Sequence, residues 1–149
     1  MKNILFLFFI VLFATYLFPQ ESLVKTGFYR VVENDSCTNS DNYLKIADAG
    51  KEYCIYRNPL ITEMNFKAVN ITTDIVSGSN YIVGIQLDSI GAYIIKEATA
   101  KMVGQKAVFI VDGNIVAAPT VRDPITSGRI AVFCNEETLG QIKKALRIK

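Results

Sequence analysis

The side chains that could perform acid–base chemistry in this 149-residue chain are carboxylates, because the sequence contains no histidine. Without histidine, no Ser-His-Asp or Cys-His triad can form, and no side chain has an unperturbed pKa near neutrality. A small hydrolase would have to use two of Asp88, Asp112 and Asp123 as its carboxylate pair. Asp112 precedes Gly113 in a hairpin-turn signal, and a turn explains both residues without catalysis. We therefore predict no catalytic residue, metal ligand or cofactor, with the carboxylate hydrolase as the alternative.

The three cysteines, Cys37, Cys54 and Cys134, could provide a disulfide or a reactive thiol. A bridge between Cys37 and Cys54 would persist in an oxidising compartment and contribute ~3 kcal/mol in the chain-entropy model. The alternative is that all three are small buried side chains in reduced form. A nucleophilic Cys134 is disfavoured, because no histidine can activate it.

The N-terminus has the layout of a secretory signal peptide. Lys2 is followed by an apolar run from Ile4 to Phe18, and about 15 helical residues span only ~22 Å, less than the ~30 Å of a hydrocarbon core. Cleavage between Pro19 and Ser22 is favoured over an uncleaved anchor. We predict export to the periplasm or the extracellular space, with membrane contact only through residues 1–20 if they stay attached.

The charge balance bears on the class of partner. Sixteen basic and 14 acidic residues give a net charge of +2, too small a field to recruit DNA or RNA. No nucleic-acid partner is therefore expected.

The elements that position these side chains follow from the hydrophobic pattern. Alternating or continuous apolar runs predict strands at 24–32, 43–47, 51–57, 66–74, 81–87, 107–111, 115–118 and 129–134. Helical spacing and capping residues predict helices at 91–102 and 136–146. This order predicts an α+β fold, in which two helices cover one face of a mainly antiparallel sheet.

Two local features refine this prediction. The continuous apolar run Ala107–Val111 is typical of a central strand covered on both faces. The segment between Pro119 and Pro124 is an irregular loop that could present Val121, Arg122 and Asp123 to a partner. Thr99 is expected to be a buried hydroxyl satisfied by the preceding helical turn.

The stretch from Ile85 to Leu146 resembles the head subdomain in the first periplasmic domain of the protein-export membrane protein SecD. The family pattern is a Gly-Ala at a helix start, a threonine late in that helix, a strand ending in Asp-Gly, an Ala-Pro, and a final strand preceded by glycine. The matching positions are Gly91-Ala92, Thr99, Ala107–Gly113, Val116, Ala118-Pro119, Ile125, Gly128 and Ile130.

The resemblance implies a domain division and a function. It predicts a SecD head-like domain at 61–149, preceded by an N-terminal β extension at 21–60 and the signal peptide or anchor at 1–20. It also implies a non-enzymatic module that contacts a polypeptide or a protein partner of the cell envelope, including partners in translocation. Because no later apolar run reaches 18 residues, the chain could not itself translocate protons as SecD does. A permanent structural subunit of a membrane assembly is a further alternative.

Overall fold

The computed structural model describes residues 24–32, 37, 42–74 and 80–148. The strands are Gly27–Arg30 (β1), Tyr43–Asp48 (β2), Lys51–Tyr56 (β3), Ile61–Thr62 (β4), Phe66–Asp74 (β5), Asn80–Leu87 (β6), Ala107–Val111 (β7), Asn114–Ala117 (β8) and Arg129–Cys134 (β9). The α-helices are Ser89–Ala100 (α1) and Glu136–Ala145 (α2), and a 3-10 turn covers Glu63–Asn65. The predicted signal peptide lies outside the described residues.

All of the paired strands are antiparallel, which confirms the predicted α+β class, but they form three sheets. The orders are β4-β1-β7-β8, β2-β3 and β5-β6-β9. β1 lies in the interior of the four-stranded sheet, where Phe28 pairs with Ile61 on one side and with Phe109 on the other. The predicted domain boundary at residue 60 stays a prediction, although β1 shares its sheet with later strands.

The main core lies between the three-stranded sheet, the two helices and one face of the four-stranded sheet. Alternate residues of β6 and β9 are buried on the inner face of their sheet, because side chains along a strand point to opposite faces. The core members include Val83, Ile85, Ile95, Phe109, Val111, Ile130, Val132, Leu139 and Ile142. Within this core the rings of Phe28 and Phe109 stack with centroids 4.5 Å apart.

β7 is buried along its whole length, which agrees with the prediction of a strand covered on both faces. Phe109 and Val111 face the main core, whereas Val108 and Ile110 belong to a second core. In that second core they pack with Tyr29 and with Ile55 of the β2–β3 hairpin. The hairpin is therefore the cover on the second face of β7.

The helix caps and turns follow their sequence signals. The Asp88 carboxylate accepts a hydrogen bond of 2.6 Å from the Gly91 N–H at the start of α1. Asn135 caps α2 in the same way, with 2.9 Å to the Thr138 N–H. Asp112 and Gly113 adopt φ values of 47° and 81° between β7 and β8, as a tight hairpin turn requires.

Cys37 and Cys54 form a disulfide with a Cα–Cα distance of 5.8 Å. The sequence leaves open a Cys37–Cys54 bridge or three reduced cysteines, and the structure contains the bridge. It attaches the chain before β2 to strand β3 of the hairpin. Cys134 is free and buried on the inner face of β9.

Candidate binding cleft

A cleft of about 290 Å³ lies between α1, the loop after β8 and strand β9, and we call it the binding cleft. Its floor is apolar and is formed by residues that lie far apart in the sequence, on β1, α1 and β9 and on the loops between elements. The apolar lining includes Phe28, Leu60, Ile95, Ile125 and Ile130, and the polar lining includes Thr99, Arg122, Asp123 and Arg129. Two wider depressions, of about 500 and 530 Å³, lie over the outer face of the β5-β6-β9 sheet and beside the β2–β3 hairpin.

Hydrogen bonds fix the loop that forms one wall of the cleft. The Val121 N–H donates to the Gln105 carbonyl at 2.9 Å, and the Ala107 N–H donates to the Pro119 carbonyl at 3.0 Å. The Thr99 hydroxyl donates to the Ile95 carbonyl at 2.6 Å and accepts from the Ile125 N–H at 2.9 Å. Thr99 is 2% exposed. The expected bond to the preceding helical turn is therefore present, and the same hydroxyl also joins the loop to α1.

Strand β9 forms the opposite wall and is an edge strand of its sheet. Arg129, Ile130 and Ala131 line the cleft, and β9 has β6 as its single neighbour within its sheet. Edge strands present backbone N–H and C=O groups to an incoming strand. The Arg129 Nε–H donates to Gln86 Oε1 at 2.7 Å, which fixes the guanidinium at the rim.

The three residues predicted as a partner contact do not share one environment. Val121 is 8% exposed and packs with Met102 and Ala107. The loop folds back onto β7 and is anchored there by this side chain, but Val121 also lines the cleft, so its contact with a partner stays a prediction. Arg122 and Asp123 are exposed at the rim, where a partner can reach them, and their contact with one stays a prediction.

The strand at 129–134 was predicted from the sequence and is confirmed as β9, but its place in the wall of the cleft and the apolar floor were not predicted. Nothing local in the sequence indicates that this strand lies across from the loop. Phe28 and Leu60 enter the cleft because β1 pairs with β7, a contact between distant parts of the chain.

The structure does not bring Asp88 and Asp123 together. Asp88 caps the start of α1, whereas Asp123 belongs to the loop held by Thr99 near the helix end. The ten residue steps between Ser89 and Thr99 span ~15 Å, beyond the ~5–9.5 Å of paired glycosidase carboxylates. Asp112 lies in the hairpin turn, where its N–H donates to Thr26 Oγ1 at 3.2 Å.

The buried ionisable groups belong to the cores. Burial raises the pKa of Tyr29 to about 12, and the phenol donates a hydrogen bond of 2.7 Å to the Lys25 carbonyl. Burial also raises the pKa of the Cys134 thiol, which disfavours the reactive thiolate. Among the described residues, no group of three or more His, Cys, Asp or Glu side chains could hold a metal ion.

The fold and the cleft define an α+β domain with a surface suited to binding, built on antiparallel sheets. The family model described as SecDF, P1 head subdomain, matches residues 39–147. The chain belongs to this family, which confirms the resemblance noted from the sequence. The match begins before β2, so it includes the hairpin that covers β7.

Relatives with known names agree with this assignment. The chain is 43% identical over 68 residues to the protein translocase subunit SecD of Treponema pallidum (strain Nichols), a match that covers 44% of this chain and 12% of SecD. The chain thus matches only a small part of that relative.

Solved structures support the fold. The crystal structure of SecDF in its super-membrane-facing form matches with a TM-score of 0.60 and 18% identity, over 85% of this chain and 18% of that one. A structure of SecDF, described as a membrane component that enhances protein export, matches with a TM-score of 0.57 and 16% identity, over 83% of this chain and 61% of that one. Among the described residues, no helix is long and apolar enough to cross a membrane.

Proposed function

We propose that the chain is a non-enzymatic accessory module of protein export, which is itself exported to the periplasm or beyond the cell. It holds an extended stretch of polypeptide in the binding cleft. The observation that carries this proposal is that residues of β9, an edge strand of its sheet, line a cleft with an apolar floor. An extended polypeptide can pair with such an edge while one of its apolar side chains fills the cleft. Family membership and the SecD relative support the same role.

The rim of the cleft indicates broad rather than selective binding. Arg122 and Asp123 carry opposite charges next to each other, and Arg129 is already engaged by Gln86. The rim therefore gives no strong preference for acidic or basic segments. Apolar content and an extended backbone would decide which segments bind.

Site-specific photocrosslinking tests the proposal. A photoreactive residue replaces Arg122 at the rim or, as the control, Lys144, an exposed cation on α2, which does not line the cleft. The probe is a permanently unfolded polypeptide, reduced and carboxymethylated. We expect crosslinks from position 122 and few from position 144. Equal crosslinking at both positions, or none at 122, would refute binding in the cleft.

The same photoreactive variants can separate the two kinds of protein association in cells. A module that handles exported chains should give many crosslinked products of different mass from position 122. A single product at fixed stoichiometry, retained through detergent extraction, would instead identify a permanent structural subunit.

A further inference from the structure

Three large apolar side chains are exposed at one end of the fold: Met64 at 89%, Ile90 at 64% and Tyr93 at 67%. Met64 belongs to the 3-10 turn between β4 and β5. Ile90 and Tyr93 are three residues apart on α1, so they lie on one face of the helix. We call these three side chains the apolar end patch.

Backbone contacts place the 3-10 turn against the start of α1. The Asp88 N–H donates to the Asn65 carbonyl at 2.9 Å. A Cβ atom added at Gly91 would lie 2.8 Å from the Asn65 Cβ, so the turn and the first turn of α1 touch without an intervening side chain. Met64 and Ile90 are neighbours of the residues in this contact. The apolar end patch is therefore confined to one end of α1.

The N-terminal segment joins the fold at this same end. Gly27 pairs with Thr62 in antiparallel orientation, so the residues before Gly27 and those after Thr62 lie at the same end of the sheet. Only residues 19–23 separate Phe18, the last residue of the apolar run, from Val24. Such a connection reaches at most about 20 Å. If the apolar run occupies a membrane, this end of the fold is held close to the bilayer.

The residues near this end carry no excess of positive charge. Lys25 and Lys67 are exposed, as are Glu63 and Asp112, and the Asp88 carboxylate lies at the start of α1. An attraction to the bilayer would thus depend on burying apolar side chains rather than on anionic lipid. Tyrosine is suited to this position, because its ring is apolar and its hydroxyl can stay hydrated.

We propose that this end of the fold rests on the bilayer surface, with Met64, Ile90 and Tyr93 inserted at the boundary between headgroups and acyl chains. The proposal concerns the chain that keeps residues 1–20, the alternative to cleavage, and in that chain the contact adds a second membrane-binding element. It is separate from the binding cleft, to which α1 contributes Ile95 and Thr99. The domain would then stand on one end of α1, with the cleft farther along the helix from the membrane.

Depth-dependent fluorescence quenching in the full chain tests this arrangement. Single probes are attached in a Cys134→Ala background to Met64→Cys or Ile90→Cys and, as matched controls, to Val103→Cys or Phe133→Cys, whose native side chains are both 52% exposed. The protein is reconstituted in phosphatidylcholine vesicles that contain a lipid-borne nitroxide quencher. We expect several-fold stronger quenching at positions 64 and 90 than at positions 103 and 133.

A double variant, Ile90→Ser with Tyr93→Ser, gives a second readout. Removing each apolar side chain from lipid lowers partitioning on the order of tenfold, so quenching at position 64 should fall although the leader is unchanged. Equal quenching at all four positions overturns the proposal. Quenching at position 64 that requires phosphatidylglycerol overturns it as well, because the contact would then be electrostatic.

Discussion

Replacing Thr99 with valine should detach the loop wall of the binding cleft from α1. Valine keeps the shape of threonine but removes the hydroxyl that accepts from the Ile125 N–H at 2.9 Å. The Thr99 side chain is 2% exposed, so water does not readily replace the lost acceptor. A buried donor left without a partner costs about 1–3 kcal/mol. The free energy of unfolding should fall by about this amount in urea titrations.

Hydrogen exchange locates the effect. Because 1.4 kcal/mol corresponds to a factor of ten, protection of the Ile125 amide should fall on the order of 10- to 100-fold in Thr99→Val. Thr99→Ser is the matched control: it keeps the hydroxyl and loses one buried methyl group, at about 1 kcal/mol. Its Ile125 amide should stay protected. Unchanged protection in Thr99→Val, or equal loss in both variants, would refute the assignment of Thr99 as the link between loop and helix.

Two further predictions concern the second core and its hairpin. Cys54→Ser removes the disulfide to Cys37 and should lower the free energy of unfolding by about 3 kcal/mol. In the oxidised wild type, alkylation under denaturing conditions should label Cys134 alone, and three labelled thiols would contradict the bridge. The pKa of Tyr29 is raised from 10.0 to about 12, so between these pH values the folded state keeps the phenol proton that the unfolded state loses. The free energy of unfolding should therefore be unaffected below pH 10 and fall by up to about 2.7 kcal/mol as the pH rises to about 12. Tyr29→Phe should remove this alkaline loss in pH-dependent urea titrations, and an identical pH profile in both proteins would contradict it.

Sequence patterns predicted the local elements well because each has a local cause. The Asp112-Gly113 turn follows from residues that accept positive φ, and α1 begins where Asp88 can cap it. The two-sided burial of β7 followed from its unbroken apolar run.

The arrangement of the sheets could not be predicted in the same way, because strand pairing joins distant parts of the chain. Nothing near Phe28 indicates that it stacks on Phe109, and nothing near Val121 distinguishes an anchored loop residue from an exposed one. The cleft depends on both facts. Its rim residues Arg122 and Asp123 were found from the sequence, whereas its floor was not.

The central place of β1 sets an order for folding. Phe28 pairs with residues of β4 and β7, so β1 cannot complete its pairing until β7 has been synthesised. Pairing between such distant strands is slow, because the intervening chain must close into a loop before the contacts form. A chain that emerges N-terminus first would have an unfinished four-stranded sheet until β7 is available. During that interval β1 has only the two-residue strand β4 to pair with, so the four-stranded sheet is completed late in synthesis.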